Sequence, residues 1–218
     1  MEHVFPTKFN CPSTTSTPSE LFPARISYDA RPPVIRYTRR NNPSQMLIYT
    51  DGACLNNGQA NPKAGWAFVF RPASDGHRGF VSSRLEDKGP YGDEGSQTSN
   101  RAELRAVLGA IHFRVWTGEG FTTLVFATDS EYVVQGATTW VRTWVRNGWR
   151  TRTGAEVKNK DLWEKLLEGI QQWDAEGFKI QFWRIPRLLN AAADSAAKQA
   201  AEEGEDLDDY RDHRGVLV

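Results

Sequence analysis

Apolar and polar positions change period several times along the chain, and each change marks an element. Met46 to Asp51 is a short apolar run closed by an aspartate and a glycine, which reads as a strand. Ala64 to Phe70 is a second such run and Arg78 to Leu85 a third. Turn-rich connections separate the three, so they predict an antiparallel meander. The period then becomes helical. Leu104, Val107, Leu108, Ile111 and Val115 recur three and four apart behind Ser99-Asn100, and Gly118 and Gly120 close the helix. Residues 122–128 predict strand four, followed by a short helix from 130 to about 136 and another from Thr138 to about Asn147. A polar, basic stretch at 148–159 leads into a helix from Asp161 to about Ala175, with Leu162, Trp163, Leu166, Leu167 and Ile170 as its apolar stripe. Phe178 to Trp183 alternates as strand five, and an Ala-rich helix runs from Asn190 to about Ala201. Strands that alternate with helices after the first three imply an α/β fold, a mixed sheet covered by helices. The chain has no internal repeat.

The two ends read differently. Residues 1–44 hold seven of the eleven prolines and the Ser/Thr run Ser13 to Thr17, which predicts a mostly disordered arm. Arg36, Arg39 and Arg40 make its end basic, as a solvated linker or a non-specific phosphate contact. Residues 204–218 are acidic and predict a solvated tail, so 45–203 is the folded domain.

Composition narrows the class. One domain plus tails fits 218 residues, and eight Trp supply a sizeable core. Net charge is zero, so only local charge bears on a nucleic-acid partner. Cys11 and Cys54 stand far apart in dissimilar contexts, which fits a reducing compartment rather than a disulfide framework. No apolar run approaches the roughly 18 residues of a membrane span. The N-terminus lacks the apolar core of a secretory signal, and Glu2, Asp29 and the prolines make a poor organellar leader. The expectation is an intracellular monomer in nucleus or cytoplasm, with an organelle left open.

Chemistry concentrates in four acids. Asp51 and Asp129 each end a strand after a threonine; Glu103 and Asp194 each lie near the start of a helix. Singly, each has a plain reading: a turn former, a capping-box partner of Asn100, or a favourable charge on a helix dipole. Together, four carboxylates at the ends of core elements make an oxygen cage of the kind that suits Mg²⁺. Two such ions about 4 Å apart can clamp an in-line phosphoryl displacement. The histidines at 3, 77, 112 and 213 show no metal spacing, which argues against zinc. A surface for a polyanion follows. Trp140, Val141, Trp144 and Val145 share a helix with Arg142 and Arg146, and Trp149, Arg150, Arg152, Lys158 and Lys160 come next. Cations interleaved with tryptophans suit a nucleic-acid backbone, although an exposed helix with core tryptophans gives the same composition.

Thr50-Asp51-Gly52-Ala53-Cys54, Ser99-Asn100-Arg101-Ala102-Glu103-Leu104, Thr128-Asp129-Ser130 and Asn190-x-x-x-Asp194 resemble the four signature segments of type 1 ribonuclease H. The similarity covers about 46–202 and extends through Trp140, Trp144, Gly148-Trp149 and Asn159-Lys160-Asp161-Leu162-Trp163, at the spacing of that family's basic protrusion. The resemblance implies a five-stranded mixed sheet of order 3-2-1-4-5, with Asp51 and Asp129 facing each other. It implies endonucleolytic hydrolysis of the RNA strand of an RNA/DNA hybrid with two Mg²⁺ (Mn²⁺ as a substitute), leaving 5′-phosphate and 3′-hydroxyl ends. Asp51, Glu103, Asp129 and Asp194 match the catalytic, metal-binding acids. Asn57, Ser99 and Asn100 match minor-groove positions, where 2′-hydroxyls distinguish RNA from DNA. Gln135 has a similar role, and Cys54 of the first segment joins the substrate-binding set. Tyr132 and Trp140 match rings that pack on the DNA strand, and Thr98 and Asn159 match a pocket for a DNA phosphate. Arg142, Arg146, Arg150, Arg184 and Arg187 complete the basic surface.

This chain departs from the family twice. The loop Trp183 to Leu189 holds arginines and no histidine, so the proton-transfer aid of many members is missing and slower turnover or another metal preference is expected. Ser96 stands where some members place an arginine in the phosphate pocket. The competing reading is a silent relative that binds hybrids without cutting them; loss of an acid would favour it, and all four are present.

Overall fold

The computed structural model describes residues 3–74 and 78–215. His77 and the last three residues of the tail lie outside the described residues. The five expected strands are β4 (Asn42–Leu55), β5 (Lys63–Val69), β6 (Phe80–Arg84), β7 (Thr123–Thr128) and β8 (Lys179–Arg184). They pair in the order β6-β5-β4-β7-β8, with β4, β7 and β8 parallel and β5 and β6 antiparallel. The expected 3-2-1-4-5 core is therefore present. It sits inside a larger sheet, because three strands of the N-terminal region join it.

The arm is where the expectation fails. Among the described residues, β1 (Thr7–Lys8) pairs in parallel with the free edge of β8. β2 (Ala24–Ser27) and β3 (Val34–Arg39) form a hairpin that pairs with the first half of β4, while β5 takes the second half. The fourteen residues of β4 give room for both. The prolines stand where their missing N–H does no harm. Pro18 opens a four-residue helix, α1 (Pro18–Leu21), capped by Thr17 and Glu20. Pro6 and Pro33 each come just before a strand, and Pro43 follows the turn between β3 and β4. Single apolar residues between them anchor the segment. Phe9 and Phe22 pack on Trp183, beside Leu47 and Val125. Arg36 is not solvated either: it is 2% exposed, and its Nε and Nη2 each donate to Glu119 at 2.7 Å.

α2 (Ser99–Phe113) and α5 (Lys160–Ala175) cover one face of the sheet, and their stripes close the main core around Trp66, Trp116 and Trp163. Each such ring removes roughly 150–250 Å² from water. α6 (Ala191–Glu203) packs on β5 and β4 through alanines, and Gly65 lets it approach: a Cβ there would fall 2.3 Å from Ala201 N. The two predicted helices at 130–147 are one rod, α3 (Glu131–Gln135) passing through a π turn (Gly136–Trp140) into α4 (Val141–Arg146).

The acids of the tail are exposed, as expected, but its backbone is pinned to the body. Asp87 N and Lys88 N donate to Leu207 O and Asp208 O, both at 2.8 Å, and Gly215 N donates to Phe113 O at 2.7 Å. Arg105, buried in an ion pair with Glu86, lies 4.6 Å from the Trp66 ring and 4.2 Å from the Tyr210 ring. The acids find cations on the body: Asp206 meets Arg84 and Asp209 meets Lys88.

Candidate active site and nucleic-acid interface

The parallel ladder of β4 and β7 ends at Tyr49↔Ala127, so two residues later Asp51 and Asp129 stand level at one rim of the sheet. Glu103 reaches that rim from the second turn of α2. Gly52 allows this, since a Cβ there would fall 2.1 Å from Glu103 N. Asp194 arrives in the first turn of α6. Neighbours aim the carboxylates. Ser130 Oγ donates to Glu103 Oε2. Asn190 Nδ2 donates to Asp129 Oδ1 at 2.9 Å and to Thr50 O at 3.0 Å, tying α6 to both strands. The capping-box reading falls away. Thr98, not Asn100, caps α2 by accepting from Arg101 N, and Glu103 makes no cap.

The crowding shows in the proton affinities. Burial pushes the Asp51 carboxyl up to about 7, with Asp129 adding repulsion and Glu103 and Asp194 less. Burial likewise raises Glu103 to about 7, against the hydrogen bond from Ser130. Arg187 answers part of this charge. Its Nη2 donates to Asp194 Oδ1 at 2.5 Å, and its Nη1 lies 4.0 Å from Asp129 Oδ2. Lys198 Nζ holds the other Asp194 oxygen at 2.6 Å. Burial would raise Asp194, but the bonds from Lys198 and Arg187 outweigh it and hold it below the usual range. Among the described residues no three His, Cys, Asp or Glu side chains stand together in a grip on an ion. A cleft of about 450 Å³ opens beside the rim, lined by Asp129 and by Arg184, Ile185, Pro186 and Arg187 of the loop after β8.

The proposed substrate residues flank this rim in two groups. On one side Asn57 Nδ2 donates to Ser99 Oγ at 3.3 Å and Cys54 Sγ lies 3.4 Å from Gln97 O, so the turn after β4 meets the start of α2, where Asn100 is exposed. On the other side stand Tyr132 and Trp140, ring centroids 6.3 Å apart. Trp140 is 39% exposed. Tyr132 is locked: its hydroxyl accepts from Asn159 Nδ2 and Trp163 Nε1, both at 3.1 Å. Thr98 and Asn159 sit at the starts of α2 and α5, which the bidentate Arg101–Asp161 pair draws together. The basic surface is partly engaged. Arg142 lies over Phe5, Arg146 donates to Arg142 O, Arg150 to Gly154 O, and Arg184 pairs with Glu131.

The RNase H family model matches residues 43–202, which takes in all four acids and both flanks. The chain belongs to the RNase H family. It is 35% identical to human ribonuclease H1 over 184 residues, 83% of this chain and 58% of the human protein. It is 40% identical to the ribonuclease H of Treponema pallidum over 178 residues, 76% of this chain and 98% of that protein. The chain spans between half and three fifths of the length of the mammalian relatives it matches. Among solved structures it resembles LC9-RNase H1, described as a type 1 RNase H with the type 2 active-site motif, at TM-score 0.52 and 28% identity over 74% of each chain.

Several residues that shape this RNase H site carry weak signals in the sequence. Asn190 was visible as the first residue of a signature segment, but its bond to Asp129 was not. Ser130 reads as a helix cap, which it also is, accepting from Val133 N at 3.2 Å. Lys198 lies one helical turn after Asp194, a pairing that spacing alone suggests. Lys8, which donates to Gln135 Oε1 at 3.2 Å, was hidden in the supposed arm.

Proposed function

We propose that this RNase H chain is a metal-dependent endonuclease that hydrolyses the RNA strand of RNA/DNA hybrids, leaving 5′-phosphate and 3′-hydroxyl ends. The observation that carries the reading is the rim itself: β4, α2, β7 and α6 each bring one acid toward it, and two of the four are pushed up to about 7, chiefly by burial and then by mutual charge. Such a site is under-neutralised by Arg187 and Lys198 and has only oxygen donors, which fits Mg²⁺ or Mn²⁺. Asp51, Glu103 and Asp129 would hold the ions, and Asp194 would join by exchanging its Arg187 and Lys198 partners. The chemistry that two bound ions supply is activation of the attacking water and neutralisation of the leaving oxygen.

The chain's own residues do the rest. Asn190 and Ser130 hold Asp129 and Glu103 in place, so less reorganisation is needed when substrate arrives. Asn57, Ser99, Asn100 and Gln135 face the minor groove, where hydroxyl and amide groups can engage 2′-hydroxyls, and Cys54 belongs to the same substrate-binding set. Trp140 packs on the DNA strand and Tyr132 supports it. Thr98 and Asn159 hold a DNA phosphate, a contact that positions without reading sequence. Arg184 and Arg187 line the cleft beside Asp129 and meet phosphate oxygens there. A guanidinium offers donors and no acceptor, so the loop contributes charge and not proton transfer.

A labelled RNA/DNA hybrid with Mg²⁺ tests this, comparing wild type with Asp129→Asn. The expected result is cleavage of the RNA strand by wild type and none by the variant, with hybrid binding kept in both. A wild-type chain that binds the hybrid and leaves it intact would instead support the binding-only reading.

A further inference from the structure

The segment from His3 to Phe9 crosses the base of the helix that carries Trp140. It is anchored at one end in the sheet: β1 pairs with β8, Phe9 N donates to Phe182 O at 2.8 Å, and the Phe9 ring lies 4.9 Å from the Trp183 ring. From there it touches each helix of the substrate flank in turn. Lys8 Nζ donates to Gln135 Oε1 at 3.2 Å in α3. Phe5 lies under the Arg142 guanidinium of α4, 4.8 Å from ring centre to carbon. His3 Nδ1 meets Gln171 Nε2 of α5 at 2.7 Å, and Val4 packs against the main core.

The contact at Gln135 has a chemical consequence. An ammonium group has three donors and no acceptor, so the atom facing Lys8 must be the amide oxygen. Thr139 Oγ1 lies 3.4 Å from the same oxygen. Both donors therefore fix the amide with its carbonyl toward β1 and its NH₂ as the group left to offer. Gln135 also comes directly before the π turn that presents Trp140, and π turns interrupt the regular helical ladder. How Gln135 is held thus bears on both the donor and the ring.

We propose that Lys8 is a positioning residue for substrate: with Phe5 under Arg142, it straps the gripping helix to the sheet and sets Gln135 as an NH₂ donor to acceptors in the groove of a bound hybrid. This rests on the hybrid reading above. Lys8 is exposed, and an exposed lysine beside a polyanion has an obvious rival role as a direct phosphate contact. The two are separable. A positioning residue acts through Gln135, so its effect vanishes when Gln135 is gone. A phosphate contact acts by itself and releases a counterion.

The test uses the full chain as wild type, Lys8→Ala, Lys8→Arg, Gln135→Ala and Lys8→Ala/Gln135→Ala. Each is measured for kcat and KM on a hybrid. Each is also measured for hybrid binding by fluorescence anisotropy across a salt series, in an Asp129→Asn background so that no cleavage intervenes. Lys8→Ala is expected to raise KM and weaken binding about three- to tenfold at unchanged kcat, the range for one lost hydrogen bond. Lys8→Arg restores most of it, the double variant matches Gln135→Ala alone, and the salt slope stays that of wild type. Binding by Lys8→Ala equal to wild type overturns the proposal while leaving the hybrid reading intact. So do additive single effects, or a salt slope lower by about one. A wild-type chain that binds no hybrid overturns both.

Discussion

Asp51→Asn is expected to stabilise the metal-free protein while abolishing cleavage. The Asp51 carboxyl is 5% exposed and sits among Asp129, Glu103 and Asp194. In the fold its proton is held to about 7, against an ordinary 3.8. A carboxyl raised in this way contributes stability that is full below its unfolded value and is lost as the pH rises through about 7. At about 1.36 kcal/mol per pH unit, ionising Asp51 at pH 8 costs the fold on the order of 4 kcal/mol. An asparagine keeps the shape and the oxygen that accepts from Gly52 N at 2.8 Å, and removes the charge. The new amide buries an NH₂ where a carboxylate oxygen stood, so the net gain is set at roughly half, about 2 kcal/mol, or about 4–8 °C in Tm for a chain of this length. The assay is thermal unfolding in EDTA at pH 5 and pH 8. The gain should appear in full at pH 8 and shrink to about two fifths of that at pH 5, where Asp51 is neutral in the fold but still ionised once the chain unfolds. A variant that is no more stable than wild type at pH 8, or that changes equally at both pH values, refutes the reasoning. The result matters because a site that costs the fold stability, and repays it only when cations arrive, is the physical mark of function over structure.

Two further outcomes follow from other parts of the molecule. Trp140→Ala should raise KM for a hybrid about tenfold, from a stacking contribution of roughly 1–2 kcal/mol, with kcat kept; a loss of kcat at constant KM would contradict its place on the DNA strand. Arg36→Met leaves Glu119 buried without its main partner, although Arg114 remains 3.5 Å away, and should cost about 3 kcal/mol, read as a fall in Tm of about 6–12 °C. An unchanged Tm would mean that the β2–β3 hairpin lies outside the cooperative unit.

The half of the molecule that carries the four acids was legible because its signals are local or repeated. A strand that ends in Thr-Asp announces a carboxylate at a sheet rim, whatever it pairs with. The stripe Leu104-Val107-Leu108-Ile111 announces which face of α2 is buried. The four segments around Asp51, Glu103, Asp129 and Asp194 keep their order and spacing, so the five-strand core and the candidate acids followed from sequence and resemblance alone. The rod at 131–146 was read as two helices; the π turn that joins them opens on Gly136 and shifts the period there.

What the sequence hid was whatever depends on a partner far along the chain. Strands of two to six residues, bounded by prolines, have too few positions to show a period, so β1, β2 and β3 looked like a disordered arm. They fold because β8 and β4 have edges that need backbone partners, and because Phe9, Phe22 and Arg36 find Trp183 and Glu119. The acids of the tail are exposed, as their charge predicts; what the sequence hid is that Arg84, Lys88 and Arg105 tie the tail to the body. The same holds within the site. Residue types and spacing named the acids, but only the packing of α2, α6 and the loop after β8 decided that Ser130 aims Glu103, that Asn190 aims Asp129, and that Arg187 and Lys198 share Asp194. Periodicity records what each residue wants buried; which side chain meets which is settled by the tertiary fold, where contacts distant in sequence are made together.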